Sequence, residues 1–337
     1  MIDLSTTYLG MELKNPLVPS ASPLAKDLDA CKRLEDAGAA AIVMNSLFEE
    51  EVNADEERLD HLMHFQDIGH FEAASYLPAE ESYKTQLESC LEQLESLKHT
   101  LEIPVIASLN GTTPSGWTRH AKQLQQAGAN ALELNVYYMP ADITESSDTV
   151  EARYVDILTE VKKQVDIPII MKLSSQFSSV GNFVQKLQAA GANGVSLFNR
   201  YYLPDIDLET LDVIPSLKLS SPVESRLSMR WIALLHGRVN LTLAATSGIH
   251  SADDAIKMLL AGADVTHMCS ALLRHGPGHL SEVLKGIESW MEENEYSSVT
   301  QLKGSVSHAK ATDPTAFERS NYIKVLSSFD SPDGVWR

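Results

Sequence analysis

The chain has 337 residues, 44% of them hydrophobic, which is enough to bury one large core. Its 27 basic and 46 acidic residues give a net charge of −19, which argues against nucleic acids or anionic membrane surfaces as partners. Three scattered cysteines exclude a disulfide framework, and neither a membrane-spanning apolar stretch nor a signal peptide is visible, so we expect a cytoplasmic protein without a membrane segment.

A weak internal repeat organises the chain. Four Ala-Gly-Ala triplets lie between an amphipathic stretch and a short apolar run, at residues 37–39, 127–129, 190–192 and 261–263. A glycine in that position is typical of a helix C-cap that leads into a buried strand. Further apolar runs lie ahead of or between these segments, at residues 17–20, 103–107, 167–171 and 241–245. Together the two sets predict eight strands.

Helical patterns separate the predicted strands. They cover residues 28–37, 83–99, 117–127, 151–165, 180–190, 229–239, 255–261 and 280–293. Strands that are apolar almost throughout indicate a sheet buried on both faces. Strict alternation of strands and helices predicts an α/β fold with parallel strands and right-handed crossovers. Eight such units favour a closed (β/α)8 TIM barrel, and an open doubly wound sheet is the alternative.

Two long connections interrupt this regularity, at residues 48–81 after the second strand and 201–228 after the sixth. Both follow the C-terminal end of a strand, where barrel enzymes build their sites, so we expect long loops that act as lids or partner surfaces. The predicted barrel domain covers residues 1–295. Residues 296–337 are polar and mixed, and we expect a C-terminal tail that packs on the barrel or on a partner.

Polar side chains mark the C-terminal ends of the strands. They are Ser20, Ser22, Asn45, Ser46, Asn110, Asn135, Lys172, Asn199, Ser247, Cys269 and Ser270. An asparagine at a buried strand end is costly unless it forms hydrogen bonds. Asn45, Asn135 and Asn199 follow even-numbered strands and suggest a ligand rich in C=O and N–H groups, such as a flavin or a pyrimidine. Alternatively, these amides satisfy the backbone of neighbouring loops.

Lys172 is the most informative single residue. It lies in the apolar run IIMKL at residues 169–173, and a lysine in such a run is rarely buried without a partner. As a cation it could lie beside the N1–C2=O edge of a flavin and stabilise the anionic reduced ring. With a lowered pKa it could instead form a Schiff base, and a structural salt bridge is the third interpretation.

The ends of the last two strands have the composition of a phosphate site. Ser247 and Gly248 follow the seventh strand, and Cys269 and Ser270 follow the eighth. Small residues let backbone N–H groups approach a phosphate, and TIM barrels often bind one at this place. A tight turn without a ligand is the alternative.

The sequence shows no dinucleotide or P-loop glycine motif and no spacing that indicates a metal site.

Seven short motifs occur along the chain in a fixed order. They are LGM at 9–11, NPL at 15–17, SASP at 20–23, LELN at 132–135, MKL at 171–173, SGI at 247–249 and CSA at 269–271. In combination they resemble class 1 dihydroorotate dehydrogenases and the pyrimidine-reducing domain of dihydropyrimidine dehydrogenase. The resemblance covers roughly residues 5–295 and implies an N-terminal hairpin ahead of the first barrel strand.

The resemblance implies that FMN binds in the barrel mouth. The implied cofactor-binding residues are Ala21, Ser22, Asn45, Ser46, Asn110, Asn135, Lys172, Ser247, Gly248, Cys269 and Ser270. Ala21 and Ser22 would lie against the ring, with Lys172 at its pyrimidine edge. The residues implied to face the substrate are Asn135, Asn199 and Arg200. The resemblance also implies a homodimer and a reaction at the C5–C6 bond of a pyrimidine.

The sequence departs from the family pattern after the fourth strand, where the family carries a Cys or Ser base. The chain reads NVYYMP at residues 135–140, so the base position holds Tyr138 or Met139. A tyrosine with a pKa of about 10 is a poor base near neutral pH, and methionine accepts no proton. We therefore take Lys172 and Tyr138 as the catalytic candidates and expect a substrate that differs from orotate.

Three functions remain open. The first is an FMN-dependent oxidoreductase that acts on a dihydropyrimidine or a related small planar substrate. The second is a non-catalytic flavoprotein or electron-transfer subunit that works with a redox partner protein, because the usual base is missing. The third is an aldolase or lyase that uses Lys172 to form an imine.

Overall fold

The computed structural model describes residues 2–68 and 84–328. The chain begins with a hairpin of two short antiparallel strands, β1 (Thr6–Tyr8) and β2 (Met11–Leu13). Eight parallel strands follow, separated by helices. They are β3 (Leu17–Pro19), β4 (Ile42–Phe48), β5 (Val105–Asn110), β6 (Ala131–Asn135), β7 (Ile169–Leu173), β8 (Gly194–Leu197), β11 (Thr242–Thr246) and β12 (Val265–Met268).

The eight strands form one curled sheet in the order β3, β12, β11, β8, β7, β6, β5, β4. The backbone N–H of Ala40, just ahead of β4, donates to the carbonyl of Leu17 in β3 at 3.0 Å, so the two end strands lie side by side. The sheet is therefore a nearly closed barrel with the helices outside it. This confirms the predicted (β/α)8 fold and its N-terminal hairpin.

The helices that flank the barrel are α1 (Leu28–Asp36), α2 (Glu49–Ile68), α3 (Gln86–Thr100), α4 (Pro114–Gln126), α5 (Ser147–Lys162), α6 (Val180–Ala189), α7 (Ser225–Leu235), α8 (Ala252–Ala261), α9 (Ser270–His275), α10 (His279–Glu293), α11 (Val299–Leu302) and α12 (Ser320–Ser327). Eight of the helices follow the predicted pattern with shifts of a few residues at their ends, and α2, α9, α11 and α12 were not predicted. The glycines of all four Ala-Gly-Ala triplets have positive φ, as the C-cap interpretation predicts.

The connection after the second barrel strand differs from the prediction. Residues 49–68 form helix α2 rather than a loop, and Glu49, Glu50 and Glu51 open it, where negative charge suits a helix N-terminus. Residues 69–81, the rest of that predicted connection, lie outside the described residues, as do residues 82 and 83. The connection after β8 is a long loop that carries a second hairpin, β9 (Asp205–Ile206) and β10 (Val213–Ile214).

Side chains that point into the barrel form an apolar layer below a polar one. The apolar layer joins the hairpin to the strands and contains Tyr8, Leu9, Leu13, Val18, Val43, Ile106, Ala131, Ile170, Ala244 and Val265. Two residues further along these strands, the next inward position is polar; Ser108, Glu133, Lys172 and His267 are among these residues. Because the hairpin packs into the lower end, a ligand site is expected at the C-terminal ends of the strands.

The segment after α10 returns to the helices of the barrel. Val299 and Leu302 of α11 are buried, and the backbone N–H of Val306 donates to the carbonyl of Leu260 at 2.9 Å. Side chains of α12, such as Tyr322, are largely exposed. A domain boundary at residue 295 stays a prediction. None of the helices in the described part of the chain has the length and apolar character needed to cross a membrane.

Candidate active site

A polar cavity of about 80 Å³ lies at the C-terminal end of the barrel. It is lined by Ser20, Ala21, Lys172, Asn199, Arg200, Tyr202, Ser220, Thr246, Ser247, Gly248, Ile249, His267, Cys269 and Ser270. Strand ends and loops from β3, β7, β8, β11 and β12 contribute these residues. The fold therefore brings the sequence-predicted lysine together with all four residues that were predicted to hold a phosphate.

Lys172 reaches the cavity from β7, and its amine pairs with a carboxylate inside the barrel. The distance from Nζ to Oε1 of Glu133 on β6 is 3.2 Å, and the two side chains are 8% and 0% exposed. The two strands are neighbours in the sheet, which places both inward side chains within reach of each other. Lys172 thus forms a buried salt bridge and still lines the cavity. Ion pairing with Glu133 favours a cationic role for Lys172 over a nucleophilic amine.

Glu133 also approaches a buried histidine. Nδ1 of His267 on β12 lies 3.8 Å from Oε2 of Glu133, and Nε2 lies 3.2 Å from the hydroxyl of Tyr8 in the hairpin. Burial lowers the pKa of His267 to about 4, although the nearby Glu133 acts in the opposite direction. His267 is therefore neutral at pH 7. Burial, with a further contribution from Glu133, raises the pKa of Tyr8 well above its ordinary value, so Tyr8 keeps its proton.

The asparagines at the strand ends have different surroundings. Nδ2 of Asn199 donates to Oδ1 of Asn135 at 2.8 Å, so these two amides hold each other at the mouth. Oδ1 of Asn45 is buried and has no hydrogen-bond partner among the described residues. An unsatisfied buried acceptor is costly, which marks Asn45 as a position where a ligand could donate. Asn110 instead lines a separate small cavity with Trp117 of α4.

Two further predicted cofactor residues, Ser22 and Ser46, make local contacts. Oγ of Ser46 lies 2.8 Å from Oγ of Ser108, whose hydroxyl is in turn 3.5 Å from Oε1 of Glu133. The carbonyl of Ser22 accepts from the backbone N–H of Ala25 at 3.1 Å and so begins a short turn after β3. Neither serine is among the residues that line the 80 Å³ cavity.

The turn after β11 has a backbone conformation that small residues favour. The φ angles of Ser247 and Gly248 are 73° and 76°, and Oγ of Ser247 donates to the carbonyl of Phe198 at 2.8 Å. A Cβ on Gly248 would lie 2.3 Å from the backbone nitrogen of Ser225, the first residue of α7. Because no side chain fits there, glycine is required for this close approach of turn and helix.

The β8–α7 loop covers the predicted phosphate residues. The backbone N–H of Ser220 donates to Oγ of Ser270 at 3.1 Å, and Oγ of Ser220 lies 3.0 Å from Nε2 of His250. Burial raises the pKa of the Cys269 thiol above its ordinary value, so this thiol is protonated at neutral pH. A phosphate in this part of the cavity would lie next to the loop residue Ser220.

Tyr138 is not placed to act as a base. Its hydroxyl donates to Oε2 of Glu145 at 2.6 Å, and the guanidinium carbon of Arg153 lies 4.1 Å from the centre of its ring. The hydrogen bond to Glu145 raises the pKa of Tyr138. Neither Tyr138 nor the exposed Met139 lines the cavity. This geometry gives no support to the predicted catalytic role of Tyr138, because its hydroxyl is directed to Glu145, and that role stays a prediction.

Arg200 lies in the loop after β8 and is held there by its own loop. Its Nε lies 2.5 Å from Oε2 of Glu224, and a terminal nitrogen donates to the carbonyl of Lys218 at 2.8 Å. The hydroxyl of Tyr201 in the same loop donates to the carbonyl of Tyr138 at 2.6 Å. The loops after β6 and β8 are thereby joined across the mouth, with Arg200 facing the cavity.

The sequence interpretation missed Glu133, His267 and Tyr8. Glu133 could have been found from the sequence, because it is the charged residue in the apolar segment 131–134. Lys172 stands out in the apolar segment 169–173 for the same reason. His267 interrupts the last strand in the same way. Their meeting inside the barrel depends on strand register, and the contact of Tyr8 depends on how the hairpin enters from below.

Comparison with known proteins identifies relatives over nearly the whole chain. The family model for dihydroorotate dehydrogenase matches residues 3–291. The catalytic subunit of dihydroorotate dehydrogenase B (NAD(+)) from Methanosarcina mazei is 28% identical over 313 residues, which cover 89% of this chain and 94% of the relative. The corresponding subunit from Thermoplasma volcanium is 25% identical over 313 residues, covering 90% and 98%. The NAD-dependent dihydropyrimidine dehydrogenase subunit PreA of Escherichia coli K12 is 23% identical over 321 residues, covering 90% and 76%.

Proposed function

Because the chain belongs to the dihydroorotate dehydrogenase family, we propose that it is an FMN-dependent oxidoreductase acting on the C–C bond of a dihydropyrimidine or a related small planar substrate. The observation that carries this proposal is the position of Lys172. It is a buried cation that lines a cavity together with the four predicted phosphate residues, in a chain that is otherwise strongly acidic.

The residues around the cavity suit a flavin chemically. Lys172 would contact the electron-accepting pyrimidine edge. The unsatisfied Oδ1 of Asn45, which is outside the cavity lining, would accept a hydrogen bond from a ring N–H. The backbone N–H groups of Ser247 and Ser270 and the hydroxyl of Ser270 would bind the phosphate, since the Ser247 hydroxyl already donates to Phe198. When bound, FMN would supply hydride transfer. The contribution of the chain is then to orient the ligand and to place a positive charge beside it.

Space sets a condition on this proposal. A cavity of about 80 Å³ is smaller than the roughly 300–1,000 Å³ of pockets that hold a whole small molecule. Tyr202 and Ser220 of the β8–α7 loop contribute to its walls, and the Tyr202 side chain is 61% exposed. FMN would therefore need more room than this cavity provides, and outward movement of the loop would supply it. The exposed Tyr202 can move outward with little loss of packing.

Proton transfer would differ from the class 1 pattern. The hydroxyl of Tyr138 is directed to Glu145, Met139 accepts no proton, and the Cys269 thiol is protonated at neutral pH. No side chain of the described β6–α5 loop lines the cavity. We therefore expect that oxidation of a substrate would release its proton to solvent while the hydride passes to the flavin.

The test is to load the purified protein with FMN and then add dihydroorotate or dihydrouracil without oxygen. The proposal expects bleaching of the flavin absorption by at least one dihydropyrimidine, followed by reoxidation with an artificial acceptor. The variant Tyr138→Phe is expected to react at the wild-type rate, because the Tyr138 hydroxyl does not face the cavity. A protein that takes up no FMN would refute the proposal.

A second candidate is an electron-transfer subunit that carries FMN without oxidising a substrate itself. One observation favours it: the hydroxyl of Tyr138 is directed to Glu145 and is unavailable as a base. In that case no dihydropyrimidine would reduce the flavin, whereas a redox partner protein would. A homodimer and a cytoplasmic location stay predictions; sedimentation analysis of the purified protein would test the former.

A further inference from the structure

The carboxylate of Glu133 is the most deeply buried charge at the site. It is fully inaccessible, and its Oε1 faces Nζ of Lys172 at 3.2 Å and the hydroxyl of Ser108 at 3.5 Å. Its Oε2 receives no hydrogen bond from any described residue, although Nδ1 of His267 lies 3.8 Å away. A buried carboxylate with one unsatisfied oxygen depends strongly on its remaining partner.

His267 does not provide a second positive charge for Glu133. Its Nε2 faces the hydroxyl of Tyr8 at 3.2 Å, and its Nδ1 is also 3.5 Å from Oγ of Ser196. Burial on all sides keeps the imidazole neutral near pH 7. Within the described part of the chain, Lys172 is therefore the cation that compensates Glu133.

We propose that Glu133 is a positioning residue that fixes the Lys172 ammonium beneath the cavity and offsets its charge, so that a neutral ion pair faces the bound ligand. This inference rests on the proposed binding of FMN. A lone cation would favour the anionic reduced ring strongly over the neutral oxidised ring. A neutral ion pair would favour the reduced ring much less, and the reduction potential of the flavin would therefore stay low.

The chain offers a matched control for removal of a buried carboxylate. Glu151 on α5 is also buried, and its Oε2 lies 2.8 Å from Nζ of Lys186 on α6. This second pair lies between two outer helices. The change Glu151→Gln removes the same chemical group as Glu133→Gln without altering the charge next to the cavity.

The measurement is the ratio of the dissociation constants for oxidised and reduced FMN, obtained from flavin fluorescence and from the midpoint potential. In Glu133→Gln this ratio is expected to rise by about tenfold or more, because Lys172 is no longer offset and stabilises the reduced ring. Glu133→Asp, which keeps the charge, and Glu151→Gln are expected to stay close to the wild-type ratio.

Two further variants keep the test decisive if Glu133→Gln does not fold. Lys172→Met leaves Glu133 alone and is expected to lower the ratio, whereas the double variant Lys172→Met with Glu133→Gln is expected to return it toward the wild-type value. A double variant that matches Lys172→Met, or a Glu133→Gln protein that matches Glu151→Gln, would overturn the inference. If the wild-type protein binds no FMN at all, the proposed function fails instead.

Discussion

The barrel interior and the surrounding helices each contain a lysine paired with a buried glutamate, but the two pairs have different environments. Between Lys172 and Glu133 the distance is 3.2 Å and the side chains are 8% and 0% exposed. Between Lys186 and Glu151 it is 2.8 Å and the side chains are 44% and 9% exposed. The shorter distance belongs to the pair that water reaches, so distance alone does not indicate which pair matters more.

The contrast shows how burial decides the role of an ion pair. Water can replace Glu151 as the partner of Lys186, so loss of that contact leaves a solvated charge. Inside the barrel no such replacement exists, and each member of the pair would be left as an uncompensated charge. Of the two pairs, the interior one therefore depends more strongly on the presence of both charges, and it lies directly below the cavity.

The largest expected effect comes from breaking the interior pair. Lys172→Met leaves the buried Glu133 carboxylate without its cation, which is expected to lower the free energy of unfolding by about 3–5 kcal/mol. Removing both charges with Glu133→Gln in addition is expected to restore most of that loss. Urea unfolding followed by circular dichroism would measure both. A single variant as stable as the wild type would show that the pair is not tightly coupled.

The buried histidine beside this pair predicts an acid-dependent loss of stability. Below its ordinary pKa of 6.5, His267 binds a proton in the unfolded chain but not in the fold, where its pKa is about 4. Stability should therefore fall as pH decreases from about 6.5 to about 4, by about 3 kcal/mol from this group. Unfolding curves of wild type and His267→Gln at both ends of this range would measure the difference. Equal losses in both proteins would contradict the account.

Two glycines with similar backbone conformations differ in the space that is available for a side chain. Gly248 and Gly276 both have positive φ, but only at Gly248 would a Cβ meet another atom, the Ser225 nitrogen at 2.3 Å. Gly248→Ala is expected to cost about 1–3 kcal/mol and to weaken FMN binding, because the turn and α7 must separate. Gly276→Ala should cost less and leave FMN affinity unchanged. The same FMN affinity in both variants would argue against a cofactor contact at this turn.

The smallest effect is expected at the outer pair. Glu151→Gln should lower the free energy of unfolding, measured with urea, far less than Lys172→Met does. The reason is that solvent can replace Glu151 as the partner of Lys186. If the two changes prove equally destabilising, the contrast between interior and helical shell is wrong.

Much of the barrel was predictable from sequence because glycine caps and apolar strands repeat with a fixed alternation. Lys172 and the strand-end asparagines were visible for a related reason, since polar residues interrupt apolar runs. The partner of Lys172 was not predictable, because Glu133 meets it through the register of two neighbouring strands. The helix at residues 49–68 was missed because it lacks a regular apolar stripe.

The position of the β8–α7 loop could not be predicted from residue types. Its sequence alternates acidic and apolar residues around the small hairpin β9–β10, and most of these side chains are exposed. The contact of Ser220 with Ser270 follows from tertiary packing between segments that are far apart in sequence. That contact places Ser220 over Ser270 in the wall of the cavity.

Titration of the purified protein with FMN, followed by quenching of flavin fluorescence, tests the central claim most directly. The account predicts saturable binding of one FMN per chain and clearly weaker binding by Lys172→Met, with Glu151→Gln unchanged. Absence of saturable binding by the wild-type protein, or equal affinity in all three proteins, would contradict the assignment of a flavin to the mouth above Lys172.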